Sequence, residues 1–264
     1  TLFSLNPGFV NKYRELGISE YIVPDVSDKC FDRGSEGIYE NILALEKKGR
    51  LTDEKDREYL LLAAFFRNLS YEESRRVMRI MTFDNRSRDI VSGLLLHKED
   101  SVFEEAQRES PAGPAADTDG IRVMVKRAMR GMGRELFELL LLFKSAQVEE
   151  VNIQGSFAPA GRSRAKAGPA PVPCGNAVKS DEPLSQGLYI RRLYEIYDSV
   201  ITENEPYCIS MLDVNGVDLI NAGISKGPAV GAVLSDLLDA VITDPSLNKK
   251  ECLLKLAVQT DDQT

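Results

Sequence analysis

The sequence has no tryptophan, one histidine, four cysteines and few rings of any kind, at 7% aromatic residues. So few rings argue against a broad stacking platform for single-stranded nucleic acid. With His97 as the sole histidine, no His-rich metal site can be built, and no Ser/His/Asp set is identifiable around it. Cys30, Cys174, Cys208 and Cys252 are scattered and form no CxxC pair, which excludes a zinc knuckle and argues against a disulfide framework. A reducing, cytoplasmic setting fits this usage. No signal-peptide pattern is visible, and no apolar run approaches the roughly 20 residues of a membrane span. A GxxxxGK phosphate loop is missing too. Acidic pairs such as Glu72-Glu73, Glu149-Glu150 and Asp261-Asp262 fall on amphipathic surfaces or at the chain end and read as solvated charge.

Excess positive charge is also missing. The net charge is −8, and taken alone this opposes nucleic-acid binding, because neutralising phosphates requires Lys and Arg. The distribution of charge matters more than its sum. What is present is ordinary for a globular protein: 43% hydrophobic and 28% charged residues over 264 positions, enough for one large domain or two smaller ones. The chain begins with Thr1 rather than Met, which leads us to expect a piece of something longer.

A helical period of 3.6 recurs throughout, with no convincing alternating strand, so the expected class is all-α: an irregular helical bundle followed by a small helical tail. Helices are expected from Leu5 to Gly17 and from Ser35 to about Lys48, with residues 21–24 as a loop between them. After an Asp53 cap, Tyr59 to Phe66 is apolar nearly all round and reads as the central core helix. Ser70 with Glu73 has the spacing of a capping box, and Asp84 caps the next helix. Residues 104–116 read as a loop. A helix from Asp117 to Arg130 is broken at Gly131-Met132-Gly133 and followed by an apolar one from Arg134 to about Glu150. Residues 154–184 are rich in Gly, Ala, Pro and Ser, with almost no large apolar side chain to offset the entropy of ordering. We read them as a disordered linker or insertion between a body at 1–153 and a tail at 185–264. The tail holds helices near 184–203, 214–222, 228–243 and 248–258.

Two patterns could carry chemistry. In the first, Gly223-Ile224-Ser225-Lys226-Gly227-Pro228 joins two helices, with Gly223 suited to end one and Pro228 to open the next. The amides at the start of the second helix, around Gly227 and Gly231, and the charge of Lys226 would suit a phosphate. A plain helical turn fits the local pattern equally well. The second pattern is a pair of basic stripes. Arg122, Lys126, Arg130 and Arg134 are spaced by four and share a face if the helix continues through Gly131. Arg75 and Arg79 are likewise four apart, with Arg76 beside them and Arg86 and Arg88 close after. Such stripes are either RNA contacts or solvated helix faces.

The run Asn215-Gly216-Val217-Asp218-Leu219, then Gly223-Ile224-Ser225-Lys226-Gly227-Pro228-Ala229-Val230-Gly231, then Asp244-Pro245-Ser246-Leu247-Asn248-Lys249-Lys250-Glu251 resembles the tail of bacterial tRNA nucleotidyltransferases, the family of CCA-adding enzymes and poly(A) polymerases. Several of that family's motifs occur here in order and at family spacing. Asn6-Pro7-Gly8, Glu15-Leu16-Gly17-Ile18 and Tyr21 to Asp25 are similar to the segment after that family's neck, and residues 59–99 and 119–150 are similar to its helical body. The resemblance implies tRNA as partner, held through its backbone, and a catalytic head that is not in this chain. Mg2+ and CTP or ATP would belong to that head, so no cofactor and no catalytic residue are expected here. Many relatives carry an HD-type phosphohydrolase site in the body. At the matching positions Asn41 replaces the first metal-ligand His, Arg67 and Asn68 replace the His-Asp pair, and only His97 stands near an expected ligand position. That implies a degenerate HD-like region without metal. The alternative to RNA binding is a helical scaffold or a homodimerisation module, and no membrane partner is expected.

Overall fold

The computed structural model describes residues 12–13, 15–17, 19–31, 35–104, 118–148 and 186–261. The start of the helix expected from Leu5, nearly all of the 104–116 loop and the whole 154–184 segment lie outside the described residues. Among the described residues there is no strand, and the class is all-α.

The helices are α1 (Ser19–Ile22), α2 (Ser27–Cys30), α3 (Glu36–Lys47), α4 (Glu54–Phe65), α5 (Tyr71–Ile80), α6 (Asn85–Leu96), α7 (Ser101–Glu104), α8 (Thr118–Met132), α9 (Arg134–Gln147), α10 (Gln186–Thr202), α11 (Gly216–Asn221), α12 (Pro228–Thr243) and α13 (Lys250–Asp261). Single 3-10 turns at Pro24–Val26, His97–Glu99, Ile209–Met211 and Pro245–Leu247 lie between them. The chain divides into two compact units. One holds residues 1–116 and 135–194, and the other holds 117–134 and 195–264. This differs from the division expected from sequence, because α8 belongs with the tail. Local periodicity cannot register that membership. Helix α8 packs on α12 and forms ion pairs with residues far along the chain, described below.

In the first unit α4 is the core. Tyr59 through Phe66 are all buried, so the run that is apolar all round has no solvent face, as its pattern required. Phe65 meets Phe31 edge-on at 5.1 Å and Phe66 at 5.0 Å. Helices α3 and α6 pack on α4, and α5 packs on α6. Helix α9 closes on the same unit, with Leu140, Leu141 and Phe143 fully buried. At Gly93 of α6, Leu136 comes within 2.8 Å of where a Cβ would stand, so the missing side chain lets α9 approach.

Most helix ends follow the expected chemistry. Ser70 accepts from the Glu73 amide while the Glu73 carboxylate accepts from the Ser70 amide, a complete capping box. Asp53 and Asp84 cap α4 and α6 through the amides of Lys55 and Ser87. Ser35 differs: it precedes α3, but its hydroxyl donates to the Ala64 carbonyl rather than capping. Residues 21–24, expected as a loop, include the end of α1 and the start of a 3-10 turn. The buried side chains of Val23, Val26 and Cys30 anchor these short pieces, where propensity alone would not form a helix.

The Glu73 carboxylate is held down to about 2, chiefly by its hydrogen bond from Lys29 and then by the Ser70 amide. Its folded value lies below its ordinary 4.5, so its contribution to stability is present above 4.5 and is lost as pH falls toward 2. Thermal melts of wild type and Glu73→Gln should therefore differ most above pH 5 and converge near pH 2. A gap that does not depend on pH would contradict this.

Candidate nucleic-acid interface

The tail unit assembles the motif run into one framework. Asn215 caps α11 by accepting from the Val217 and Asp218 amides, and the Asp218 carboxylate returns to the Asn215 amide. The other oxygen of Asp218 pairs with Lys250 at 2.6 Å, which lowers the pKa of Asp218 and ties α11 to α13. Asn248 accepts from the Asp213 amide at 3.0 Å and donates to the Met211 carbonyl at 3.0 Å. Asp244 caps the Pro245–Leu247 turn through the Ser246 amide. A Cβ on Gly216 would stand 3.2 Å from Val230, so α11 and α12 approach closely there. Beneath these polar links, Leu219, Ile224, Val233, Leu237, Val241, Leu253 and Ala257 share one apolar core.

This framework presents the turn between α11 and α12. Ser225, Lys226 and Gly227 are exposed, while Ile224 is buried and anchors the turn. Gly223 has φ +106° and Gly227 has φ +113° with ψ −143°, a region open in practice to glycine alone. Gly227 is the N-cap of α12, followed by Pro228 in the first turn, so the helix starts where expected. No ion-pair partner of Lys226 exists among the described residues. Gly231 lies on the exposed first turn of α12 with open space around it.

The α8 stripe has a different setting. Helix α8 continues through Gly131 to Met132 and stops at Gly133, where φ is +86°. Its basic side chains face residues of their own unit. Arg122 reaches Ser199, Glu203 at 3.2 Å and Glu205 at 3.0 Å. Lys126, only 1% exposed, meets the other oxygen of Glu205 at 2.9 Å. Arg130 pairs with Asp239 at 2.6 Å and donates to Ser235. Arg134, at the start of α9, donates from Nε to the Tyr197 hydroxyl at 3.3 Å. The stripe is thus engaged by the tail, and Lys126 is closed to any ligand. Nothing local in the sequence marks these acceptors, Glu205 above all. Lys126 and Glu205 lie 79 positions apart, and neither residue carries a local signal of the other.

On α5, Arg75 pairs with Asp89 at 2.6 Å and lies over the Tyr71 ring. Arg79 is exposed and has no ion-pair partner among the described residues. Arg76 holds Asp25 at 3.4 Å and Arg86 holds Glu135 at 2.6 Å, both pairs well exposed.

The four positions that the resemblance sets against an HD-type site make contacts within the first unit. Asn41 donates to the Ala146 carbonyl at 2.8 Å, fastening α3 to α9. Asn68 donates to the Lys29 carbonyl at 3.1 Å. The Arg67 carbonyl accepts from Lys98 at 2.9 Å, and His97 Nδ1 lies 3.7 Å from Asp100. Among the described residues, no group of three or more His, Cys, Asp or Glu side chains is placed to hold a metal ion. The thiol of Cys30 is pushed up to about 12 by burial, with the Glu73 charge adding to it, so it is no nucleophile at neutral pH. No described helix is long and apolar enough to cross a membrane.

Comparison with protein-family models, curated proteins and solved structures finds no match. The likeness to tRNA nucleotidyltransferases therefore rests on the sequence motifs alone.

Removing one partner of a buried ion pair strands the other, at a cost of about 3 kcal/mol. Lys126→Met should lower stability by about this amount in a denaturant melt. Lys126→Met combined with Glu205→Leu should recover most of it, since Arg122 keeps Ser199 and Glu203. An equally large loss in the double variant would show that the pair is not the source.

Proposed function

We propose that this chain is the RNA-holding body and tail of a tRNA nucleotidyltransferase, acting in tRNA 3′-end addition together with a catalytic head that it does not contain. It grips RNA backbone without reading bases. One observation carries this reading: the α11–α12 turn is exposed and built on two positive-φ glycines, and it presents Lys226 beside the first turn of α12. The residues most similar to the family's motifs are the ones that brace the turn, namely Asn215, Asp218, Asn248 and Lys250. Helix α12 runs 16 residues, long enough for its aligned peptide dipoles to favour an anion at this end. The phosphate contacts proposed here are Lys226 and the backbone at Gly227 and Gly231, with Arg79 as a separate candidate on the body. Mg2+, CTP and ATP belong to the head under this reading.

The ion pairing of the α8 stripe favours a second reading. A unit whose cations are mostly engaged internally also suits a helical scaffold with little RNA affinity of its own.

Lys226→Glu separates the two. Under the RNA reading it weakens tRNA binding at low salt without altering base preference, and it makes the salt dependence shallower by about one contact. Unchanged affinity at low salt would remove the turn from the interface.

A further inference from the structure

The pairs along α8 fall into two kinds. Lys126 is 1% exposed and its carboxylate partner Glu205 is 9% exposed, so this pair is interior and holds α8 in the unit. The outer pairs are different. Arg122 is 26% exposed and its partner Glu203 is 57% exposed, while Arg130 is 27% exposed and its partner Asp239 is 47% exposed. In both, the carboxylate is the more solvated member, and such pairs contribute little to stability and exchange readily.

Neither arginine depends on its outer carboxylate for position. Without Glu203, Arg122 keeps Ser199 and Glu205. Without Asp239, Arg130 keeps Ser235. Arg122 and Arg130 stand eight residues apart on α8, about 12 Å along its axis and about 80° around it, and each retains a hydroxyl partner. Freed of its outer carboxylate, each guanidinium can take one phosphate through charge-assisted hydrogen bonds, so the two offer separate contacts to a backbone long enough to span them.

We infer that the α8 face of the tail unit is a masked RNA-backbone surface, in which Glu203 and Asp239 occupy the places of two phosphates. RNA that binds there displaces both carboxylates into solvent, while the Lys126–Glu205 pair stays closed beneath. The inference rests on the RNA reading above and adds a second contact surface, held in check by the chain's own acids. It also accounts for a basic stripe in an acidic chain: the stripe remains silent toward polyanions until a strand long enough to replace both carboxylates competes for it.

The test is a salt titration of tRNA binding by the full chain, comparing wild type, the Glu203→Gln/Asp239→Asn variant and the Glu251→Gln/Asp213→Asn variant. The last pair removes the same charge from exposed tail residues with no role in the ladder. Unmasking should tighten binding about tenfold at about 50 mM salt and steepen the log–log salt slope by about two. Arg122→Ala/Arg130→Ala in the unmasked background should abolish that gain. Thermal melts check that each variant is folded, and the conservative substitutions leave the Lys126–Glu205 pair intact. An unmasked variant that gains no more than the control pair overturns the masked surface. If wild type still binds in a Lys226-dependent way in that case, the turn reading stands. If no variant binds RNA at low salt, both readings fail.

Discussion

The tail unit depends on one carboxylate. Glu205 accepts a hydrogen bond from Lys126 and forms an ion pair with Arg122, where Lys126 is only 1% exposed. An ammonium ion cannot stay charged in such a place without a partner at contact distance. The pair therefore dictates that α8, which the chain separates from the rest of the tail by residues 135–194, returns to the tail. The apolar contacts of Val125 and Met129 add burial to this, but they would tolerate sliding and rotation of the helix. The buried Lys126–Glu205 contact at 2.9 Å does not, so it sets the register of α8.

The same constraint shapes the functional reading. A net charge of −8 leaves RNA few cations to use, and the structure reduces them further by pairing the α8 stripe with carboxylates of the tail. What remains outward in the tail is led by the α11–α12 turn. Its shape depends on Gly223 and Gly227, because no other residue accepts those backbone angles without strain. Its orientation depends on Asn215, Asp218, Asn248 and Lys250, which join α11, the 3-10 turns and α13. Under the proposed reading, such a turn would give position without sequence information.

Much of the fold could be read from the chain alone, because its signals are local. Ser70 with Glu73, Asp53, Asp84 and Pro228 each mark a helix start by chemistry complete within four residues, and the structure realises each. The apolar run of α4 announces its burial by leaving no polar face. The role of the α8 stripe was not legible. Cations spaced by four look the same whether water, phosphate or a distant carboxylate receives them, and the carboxylates here arrive from 79 to 109 residues away. Residues 21–24 failed for a related reason: short helices form there because buried neighbours anchor them, and proline and β-branched residues hide that in the sequence. At Asn41 and Asn68 the family resemblance implied only that metal-ligating side chains are replaced. Only the structure showed what their amides do instead, which is to bind main-chain carbonyls and brace the helices.

Under the proposed reading, this acidic chain holds RNA through a small number of backbone contacts. The most direct measurement is the affinity of the unmodified chain for tRNA, and for an unrelated RNA of equal length, across a range of salt. The account predicts binding to both that weakens with salt along a shallow log–log slope, about one unit per phosphate contact and few contacts in all. Absence of binding to either RNA at the lowest salt would contradict it, as would affinity that ignores salt.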